Sequence, residues 1–445
     1  MKYIALIIGK VLVKLLKALG RNGGSFPGQI AIKFCKNLLE QFQYPKITLL
    51  VTGTNGKTST SNLIAKSFER DGYRTISNSR GDNMVYGILT LFIRNADFRF
   101  RVKADVAVIE IDELTLARYF SQMDVSDLVV TNFFRDQLDR AGEMESIVSK
   151  IEAAVRDYTG RLYLNEDDPN VKRLSYAATE ALVRTYGMGT EPSAEQASAE
   201  AREGKFCPLC KKELVYEYFR YSHIGSYRCT GCRFASDRAD YTLKELFAED
   251  CAFELRTKDG RLERFSFNLN ASYHFYNLLA AASALLENRV RASSIDAVFA
   301  KFQLGIGRME TIQVGGERIL LNLVKNPTGC NEIIKYIEAQ GGEKALLFLL
   351  NDNEQDGTDT SWIWDAEFEA LSELKRVILT GKRAAEAAIR FKLAGVSADI
   401  AIEKDVKKAL QLLLAEERPK YMISTYTGIF SSREILFALR KEREA

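Results

Sequence analysis

TLLVTGTNGKTST, Thr48 to Thr60, is the stretch whose reading decides the fold. An apolar, β-branched run ends at Gly53, a second glycine stands at Gly56, and Lys57 opens a helical stretch to Asp71 with Leu63, Ile64 and Phe68 on one side. Strand, glycine loop and helix supply what a phosphate needs. Gly53 and Gly56 offer backbone N–H groups free of Cβ crowding, Lys57 offers a cation, and the helix start offers its dipole. Thr54, Asn55 and Ser59 complete the loop, and Thr58 sets a hydroxyl where Mg²⁺ takes an oxygen ligand. The generic pattern G-x-x-x-x-G-K-[ST] is broken at one point: Val51 stands where its first glycine belongs.

The chain alternates around this loop. ADVAVIEID (104–112), DLVVTNF (127–133) and RLYLNEDDP (161–169) read as further buried strands separated by helical segments, the mark of a parallel sheet covered by helices. Parallel strands bring their C-terminal ends to one edge, which makes Glu110 the first candidate for Mg²⁺ and Asp112 the second. Asp136 and Asp139 follow the next strand and read equally as ligands or as solvated loop acids. Residues 190–240 interrupt the rhythm, which resumes near Phe265 with a helical run at Asn277–Leu286. Strands at 317–324, 344–351, 376–381 and 421–427 then form a second α/β unit. The expected organisation is a helical lead over 1–45, an ATP-binding α/β domain with a parallel sheet over 46–310 carrying an insertion at 200–240, and a C-terminal Rossmann-like α/β domain over 311–445.

Length and composition agree with folded domains. The 445 residues are 46% hydrophobic and 27% charged, with a net charge of +3, a balance that gives no reason to expect nucleic acid. The start, MKYIALIIGKVLVKLLKALGR, is apolar but interrupted by lysines and too short in any uncharged run to span a bilayer. Lys10, Lys14, Lys17 and Arg21 fall on one helical stripe. This segment is either a helix packed on the following domain or an interfacial helix that brings the protein to a membrane-borne substrate. With no secretory signal, the expected setting is a reducing cytoplasm, with the inner membrane face as an option.

Four of the seven cysteines form two C-x-x-C pairs, Cys207 with Cys210 and Cys229 with Cys232, separated by residues 211–228. That spacing suits a tetrahedral Zn²⁺ site, and four thiolates leave no position for water, so the zinc is expected to be structural. Cys35, Cys251 and Cys330 read as small buried residues. Arg220, Tyr221 and Arg228 inside the ribbon raise a nucleic-acid reading, which its modest charge disfavours.

TGTNGKTS resembles the loop of Mur ligases and folylpolyglutamate synthases, in which the first glycine of the generic pattern is absent. VIEIDE (108–113) is similar to the Mg²⁺-binding glutamate segment of that family, and TNFFRDQLDR to its T-N-x-x-x-D-H-L-D segment with Gln137 in the histidine position. YHFYNLLAAASA (273–284) resembles H-N-x-x-N-x-x-A-A, which implies that Asn277 lies at the nucleotide site. GIGRME (305–310) resembles the family's domain junction and implies that Arg308 contacts ATP phosphates. The cysteine ribbon, VKNPTG and NDNEQDGTDTSWIWDAEFE narrow the resemblance to the MurT-type subunits of lipid II isoglutaminyl synthases. The resemblance implies ATP-dependent amidation of the α-carboxylate of D-glutamate in lipid II, with ammonia from a GatD-type glutaminase in a heterodimer.

The residues themselves support an outside ammonia source. Glutamine hydrolysis needs a cysteine activated by histidine. The two histidines, His223 in the ribbon and His274 beside the Asn277 segment, follow no convincing nucleophile. The acidic stretch 352–369 holds both tryptophans, Trp362 and Trp364, and reads as an interface loop. The resemblance implies that one of its aspartates orients the partner's histidine, with Asp356 first and Asp352 and Asp359 behind it. The expected catalytic set is therefore Lys57, Glu110 and Asp356. Two other readings remain: an amino-acid ligase of the Mur or folylpolyglutamate kind, and a zinc-ribbon nucleic-acid-binding NTPase. No lysine stands out as a carbamylation candidate.

Overall fold

A computed structural model of the chain describes residues 1–20, 24–78, 82–134, 144–189, 204–268, 274–302 and 307–444. Two compact units emerge. The first holds the described residues from Met1 to Phe133 and from Met144 to Phe302, and the second holds Phe134 and those from Gly307 onward.

The first unit is built on nine strands: β1 (Ile47–Thr52), β2 (Thr75–Ser77), β3 (Val106–Glu110), β4 (Asp127–Val130), β5 (Arg161–Asn165), β6 (Leu182–Gly187), and, after a separate hairpin β7 (Leu214–Tyr221) and β8 (Ile224–Cys229), β9 (Tyr241–Phe247), β10 (Ala252–Arg256) and β11 (Leu262–Ser266). Their order across the sheet is β11-β10-β9-β6-β5-β4-β1-β3-β2. Neighbours from β9 to β2 pair in parallel, and β9, β10 and β11 pair antiparallel. The expected parallel sheet is present, extended by an antiparallel meander, and the strands resume at Tyr241 rather than near Phe265. The meander β9–β11 buries Leu243, Phe253, Leu255 and Phe265 and leaves Lys244, Glu245 and Arg264 exposed, so it shows no continuous apolar run. The interior parallel strands β1 and β3 do: Leu49, Leu50, Val51, Val106, Val108 and Ile109 have no exposed surface.

Three helices close the end of the sheet near its edge strand β2. α1 (Lys2–Ala18), α2 (Phe26–Phe34) and α4 (Val85–Asn95) pack on one another, with α3 (Lys57–Arg70) between β1 and β2 in sequence. Close approach fixes them. A Cβ on Gly28 would stand 2.1 Å from the Tyr86 carbonyl oxygen, so α2 can meet α4 only through glycine. Lys10 departs from the expected basic stripe: its ammonium turns inward, donating to the carbonyls of Ile93 (2.9 Å) and Ala96 at the C-terminus of α4. Arg21 lies outside the described residues. Among the described residues, no helix is long and apolar enough to cross a membrane.

The second unit carries six strands, β12 (Glu310–Val314), β13 (Glu317–Leu323), β14 (Lys344–Leu349), β15 (Leu374–Thr380), β16 (Asp399–Ile402) and β17 (Lys420–Ser424). They are ordered β12-β13-β17-β14-β15-β16, parallel except for the antiparallel edge strand β12. Apolar clusters cover both faces. β14 is fully buried over Ala345–Leu349 for that reason.

Candidate active site

β1, an interior strand of the first sheet between β4 and β3, runs straight into the loop Gly53–Gly56. Gly53 (φ 117°) and Gly56 (φ 87°) occupy the left-handed region. Space forbids a side chain at either. A Cβ on Gly53 would lie 2.3 Å from Thr131 Oγ1, and one on Gly56 would lie 2.1 Å from Asn277 Oδ1. The segment after β4 braces the loop: the Thr54 N–H donates to the Asn132 carbonyl (2.8 Å) and the Asn55 N–H to Asn132 Oδ1 (2.8 Å). Asn132 Nδ2 and Thr131 Oγ1 both donate back to the Asn55 carbonyl, at 3.0 and 2.8 Å. Asn277, on the helix His274–Glu287, accepts from Thr60 Oγ1 at 3.4 Å. The loop, Lys57, Thr58, Ser59 and Asn277 are thus brought together around the start of α3.

Lys57 is buried. Its ammonium donates to the carbonyls of Gly53 and Thr54 and stands 3.3 Å from Glu113 Oε2. Glu113 was not singled out from sequence, although the acidic run VIEIDE contains it. Glu110 ends β3, 2% exposed, and its backbone is gripped by the Asn78 amide through two 2.8 Å bonds. Asn83 Nδ2 donates to Glu110 Oε1 at 2.9 Å, while Oε2 is buried with no hydrogen-bond partner among the described residues. A buried carboxylate oxygen without a donor is costly unless a cation comes to it. The donor set of Glu110 Oε2 and the half-buried Thr58, hard oxygen groups, fits Mg²⁺. Asp112, the second candidate, is used otherwise. It caps the helix α5 (Glu113–Tyr119), accepting from the N–H groups of Leu114 (3.1 Å) and Thr115 (3.3 Å). Asp136, Gln137 and Asp139 lie outside the described residues. Arg308 belongs to the second unit, in a turn where the Gly307 N–H donates to Glu310 Oε2 (2.7 Å) and the Met309 N–H to Asn322 Oδ1 (3.1 Å).

Comparison with known proteins agrees with this geometry. Residues 51–285 match the Mur ligase middle domain, and residues 323–429 match the MurT ligase C-terminal domain. The lipid II isoglutaminyl synthase (glutamine-hydrolyzing) subunit MurT of Staphylococcus aureus (strain COL) is 35% identical over 96% of both chains. Its counterpart from Streptococcus pneumoniae (strain ATCC BAA-255 / R6) is 32% identical over 99% of this chain and 98% of its own. The chain belongs to the MurT subunit family. It is accordingly a ligase of Mur-ligase fold. Among solved structures, a pseudomurein peptide ligase type C from Methanothermus fervidus shares that fold, with a TM-score of 0.71 and 22% identity over 91% of this chain and 81% of its own.

The four-cysteine ribbon of this MurT-family chain gathers at the open end of the β7–β8 hairpin, with Cys207 and Cys210 before β7, Cys229 at the end of β8 and Cys232 just after it. The four Sγ atoms lie within 4.8 Å of one another, with Cys210–Cys229 at 3.3 Å and Cys207–Cys232 at 3.6 Å. A tetrahedral ion at the usual Zn–S length spaces sulfurs by roughly 3.8 Å, so the set fits zinc. The tip of the hairpin is buried on the segment that follows β5. His223 Nε2 stands 3.2 Å from Asp168 Oδ1, both side chains fully buried, while Asp168 Oδ2 accepts from the Phe133 N–H at 3.0 Å. The Gly225 N–H donates to the Asp167 carbonyl (2.9 Å), and Tyr227 Oη to the Glu166 carbonyl (3.2 Å). Burial outweighs the Lys172 ammonium beside Glu166 and pushes its carboxyl up to about 7. Of the other cysteines only Cys330 is buried, its thiol driven well up by that burial. Cys251 is exposed and Cys35 half-exposed, against the expectation for both.

The acidic loop after β14 divides the two tryptophans. Trp362 is in the core of the second unit, so only Trp364, 45% exposed and under the Arg390 guanidinium at 5.9 Å, is surface. Asp352 pairs with Arg383 at 2.7 Å, and Asp359 accepts from the Ser361 N–H at 2.8 Å. Asp356 is 3% exposed, with Oδ1 taking the Thr427 N–H (2.6 Å) and Oδ2 taking Asn353 Nδ2 (2.9 Å) and Thr427 Oγ1 (2.5 Å).

Proposed function

We propose that this chain is the synthetase subunit of a lipid II isoglutaminyl synthase. It amidates the α-carboxylate of D-glutamate in the stem peptide of lipid II, using ATP, Mg²⁺ and ammonia. The observation that carries the reading is a phosphate loop beside a buried carboxylate oxygen that has no hydrogen-bond partner among the described residues, in a chain related to MurT subunits along nearly its whole length. The amides of Gly53–Ser59 and Lys57 hold the nucleotide phosphates. Occupied by phosphate, the loop gives Lys57 a stronger partner than the Gly53 and Thr54 carbonyls it now contacts. Thr58 and Glu110 would hold Mg²⁺, whose charge would offset that of the phosphates. Asn277 holds the loop from the far side, and Arg308 is assigned to the nucleotide phosphates.

The chemistry follows from charge and position. A substrate carboxylate oxygen bonds to the γ-phosphorus as the bond to the β–γ bridging oxygen breaks, and ADP leaves. The ammonia lone pair then attacks the acyl carbon, phosphate departs with the C–O electron pair, and the nitrogen sheds a proton to leave the amide. Ammonia comes from a GatD-type glutaminase. Both histidines of this chain are buried and hydrogen-bonded within the first unit, which suits a structural use. Asp356 completes the partner's Cys–His pair: its carboxylate is oriented rigidly, as the third member of a triad must be. The ribbon zinc is structural.

Reconstitution tests the reading. The chain, its co-purifying glutaminase, lipid II and ATP–Mg²⁺ should yield amidated stem peptide with glutamine, and the chain alone should do so with ammonium, followed by mass spectrometry. Lys57→Ala should lower both by at least about a hundredfold. Incorporation of an amino acid in place of ammonia would overturn the assignment.

A further inference from the structure

The described part of α1 has an outer face that the fold leaves bare. Ala5, Leu6 and Gly9 are buried against its neighbours. Ile4, Ile7, Val11, Leu15 and, just past the helix, Leu19 recur every three or four residues along the opposite side, 48, 49, 55, 57 and 67% exposed. They make an apolar stripe about 16 Å long from Ile4 to Leu15. Lys14 and Lys17 are exposed beside it, and Tyr3, 56% exposed, stands at its start. No acidic residue precedes Glu40, whereas Lys2, Lys10, Lys14, Lys17, Arg21, Lys33 and Lys36 do. Of these, Lys10 is withdrawn onto the end of α4, and Lys33 and Lys36 are exposed.

An unbroken apolar face with only cations at its borders is complementary to one kind of surface: an anionic lipid bilayer. We propose that α1 lies in the membrane interface, its Ile4–Ile7–Val11–Leu15 stripe among the acyl chains near the headgroups, and Lys14 and Lys17 on anionic phosphates. The proposal rests on the reading that the substrate is lipid-linked, since docking then brings the site to the surface where the substrate resides. α1 packs on α4, which begins two residues after Asn83, the side chain that holds Glu110. A convex ridge one helix wide offers a protein partner little area, whereas a bilayer accepts it without a matching groove.

Flotation of the full chain with phosphatidylcholine vesicles, with and without phosphatidylglycerol, reads docking in the absence of nucleotide and substrate. The wild type should float with phosphatidylglycerol vesicles, less at high salt, and stay behind with phosphatidylcholine alone. Ile7→Glu/Val11→Glu should lower the vesicle-bound fraction about tenfold or more at unchanged melting temperature. Lys14→Glu/Lys17→Glu should likewise lower binding to phosphatidylglycerol vesicles and remove its salt dependence. Both variants should amidate a lipid-free stem peptide at the wild-type rate and vesicle-embedded lipid II more slowly. Failure of amidation with normal flotation would sink the functional reading and leave docking intact. A wild type that ignores anionic vesicles would overturn docking. So would an Ile7/Val11 variant that floats normally, or one that instead loses a co-eluting protein.

Discussion

Single atoms decide whether the Gly53–Gly56 loop can work. Gly56 combines a φ of 87° with an Asn277 oxygen 2.1 Å from where a Cβ would sit, so two independent penalties fall on one substitution. Gly56→Ala is expected to cost about 2–4 kcal/mol of stability and to abolish ATP-dependent thermal stabilisation. Gly56→Ala/Asn277→Ala should recover part of the stability by removing the clash, which thermal melting of both variants would check. Glu110 predicts the opposite split. Glu110→Gln should leave the melting temperature equal or higher, because it removes a buried negative charge on an oxygen that has no donor among the described residues, while Mg²⁺-dependent ATP turnover collapses. Glu166 gives a pH dependence. Its carboxyl titrates near 7 when folded, against about 4.3 unfolded. A raised folded value means its contribution is fully present below the unfolded value and is lost as pH rises through the folded one. Relative to Glu166→Gln, the wild type should lose at most about 3 kcal/mol between pH 4 and 7, measured by denaturant unfolding.

At the scale of elements, the ribbon and α1 show what spacing conveys and what it omits. The two C-x-x-C pairs announce a four-thiolate site because ligand spacing in a ribbon is local. Where that ribbon docks depends on His223 meeting Asp168, residues far apart in the chain and joined only by folding. Through Asp168 the hairpin tip also touches the Phe133 N–H, next to the Asn132 that braces Asn55. His223→Ala should therefore destabilise the first unit by about 2–4 kcal/mol and raise the KM for ATP, read by melting and by steady-state kinetics. Thiol labelling of the native, zinc-loaded chain should modify Cys251 and, more slowly, Cys35, leaving Cys330 inert. Chelation should expose the four ribbon thiols together.

For the whole molecule the open question is which unit does what. Asp356→Asn, tested in the reconstituted complex, should lower glutamine-driven amidation by about a hundredfold or more and leave ammonium-driven amidation within about twofold. If both fall together, the Thr427 clamp is the only work Asp356 does. Sequence alone determined the α/β class, the strand–loop–helix at Thr48–Thr60, the four-thiolate set and the kinship with Mur ligases. All are written in local periodicity or in motifs whose spacing is itself the chemistry. The antiparallel meander β9–β11 stayed hidden, because half-exposed strands carry too few apolar residues to stand out. The tertiary structure alone decided that Asp112 is a helix cap and Glu110 the carboxylate with an oxygen to spare. Two acids two residues apart look alike until the fold supplies, or withholds, their donors. It likewise turned Lys10 inward, sent Trp362 into the core and left Trp364 outside. Burial is settled by what packs against a residue, and those partners come from distant parts of the chain.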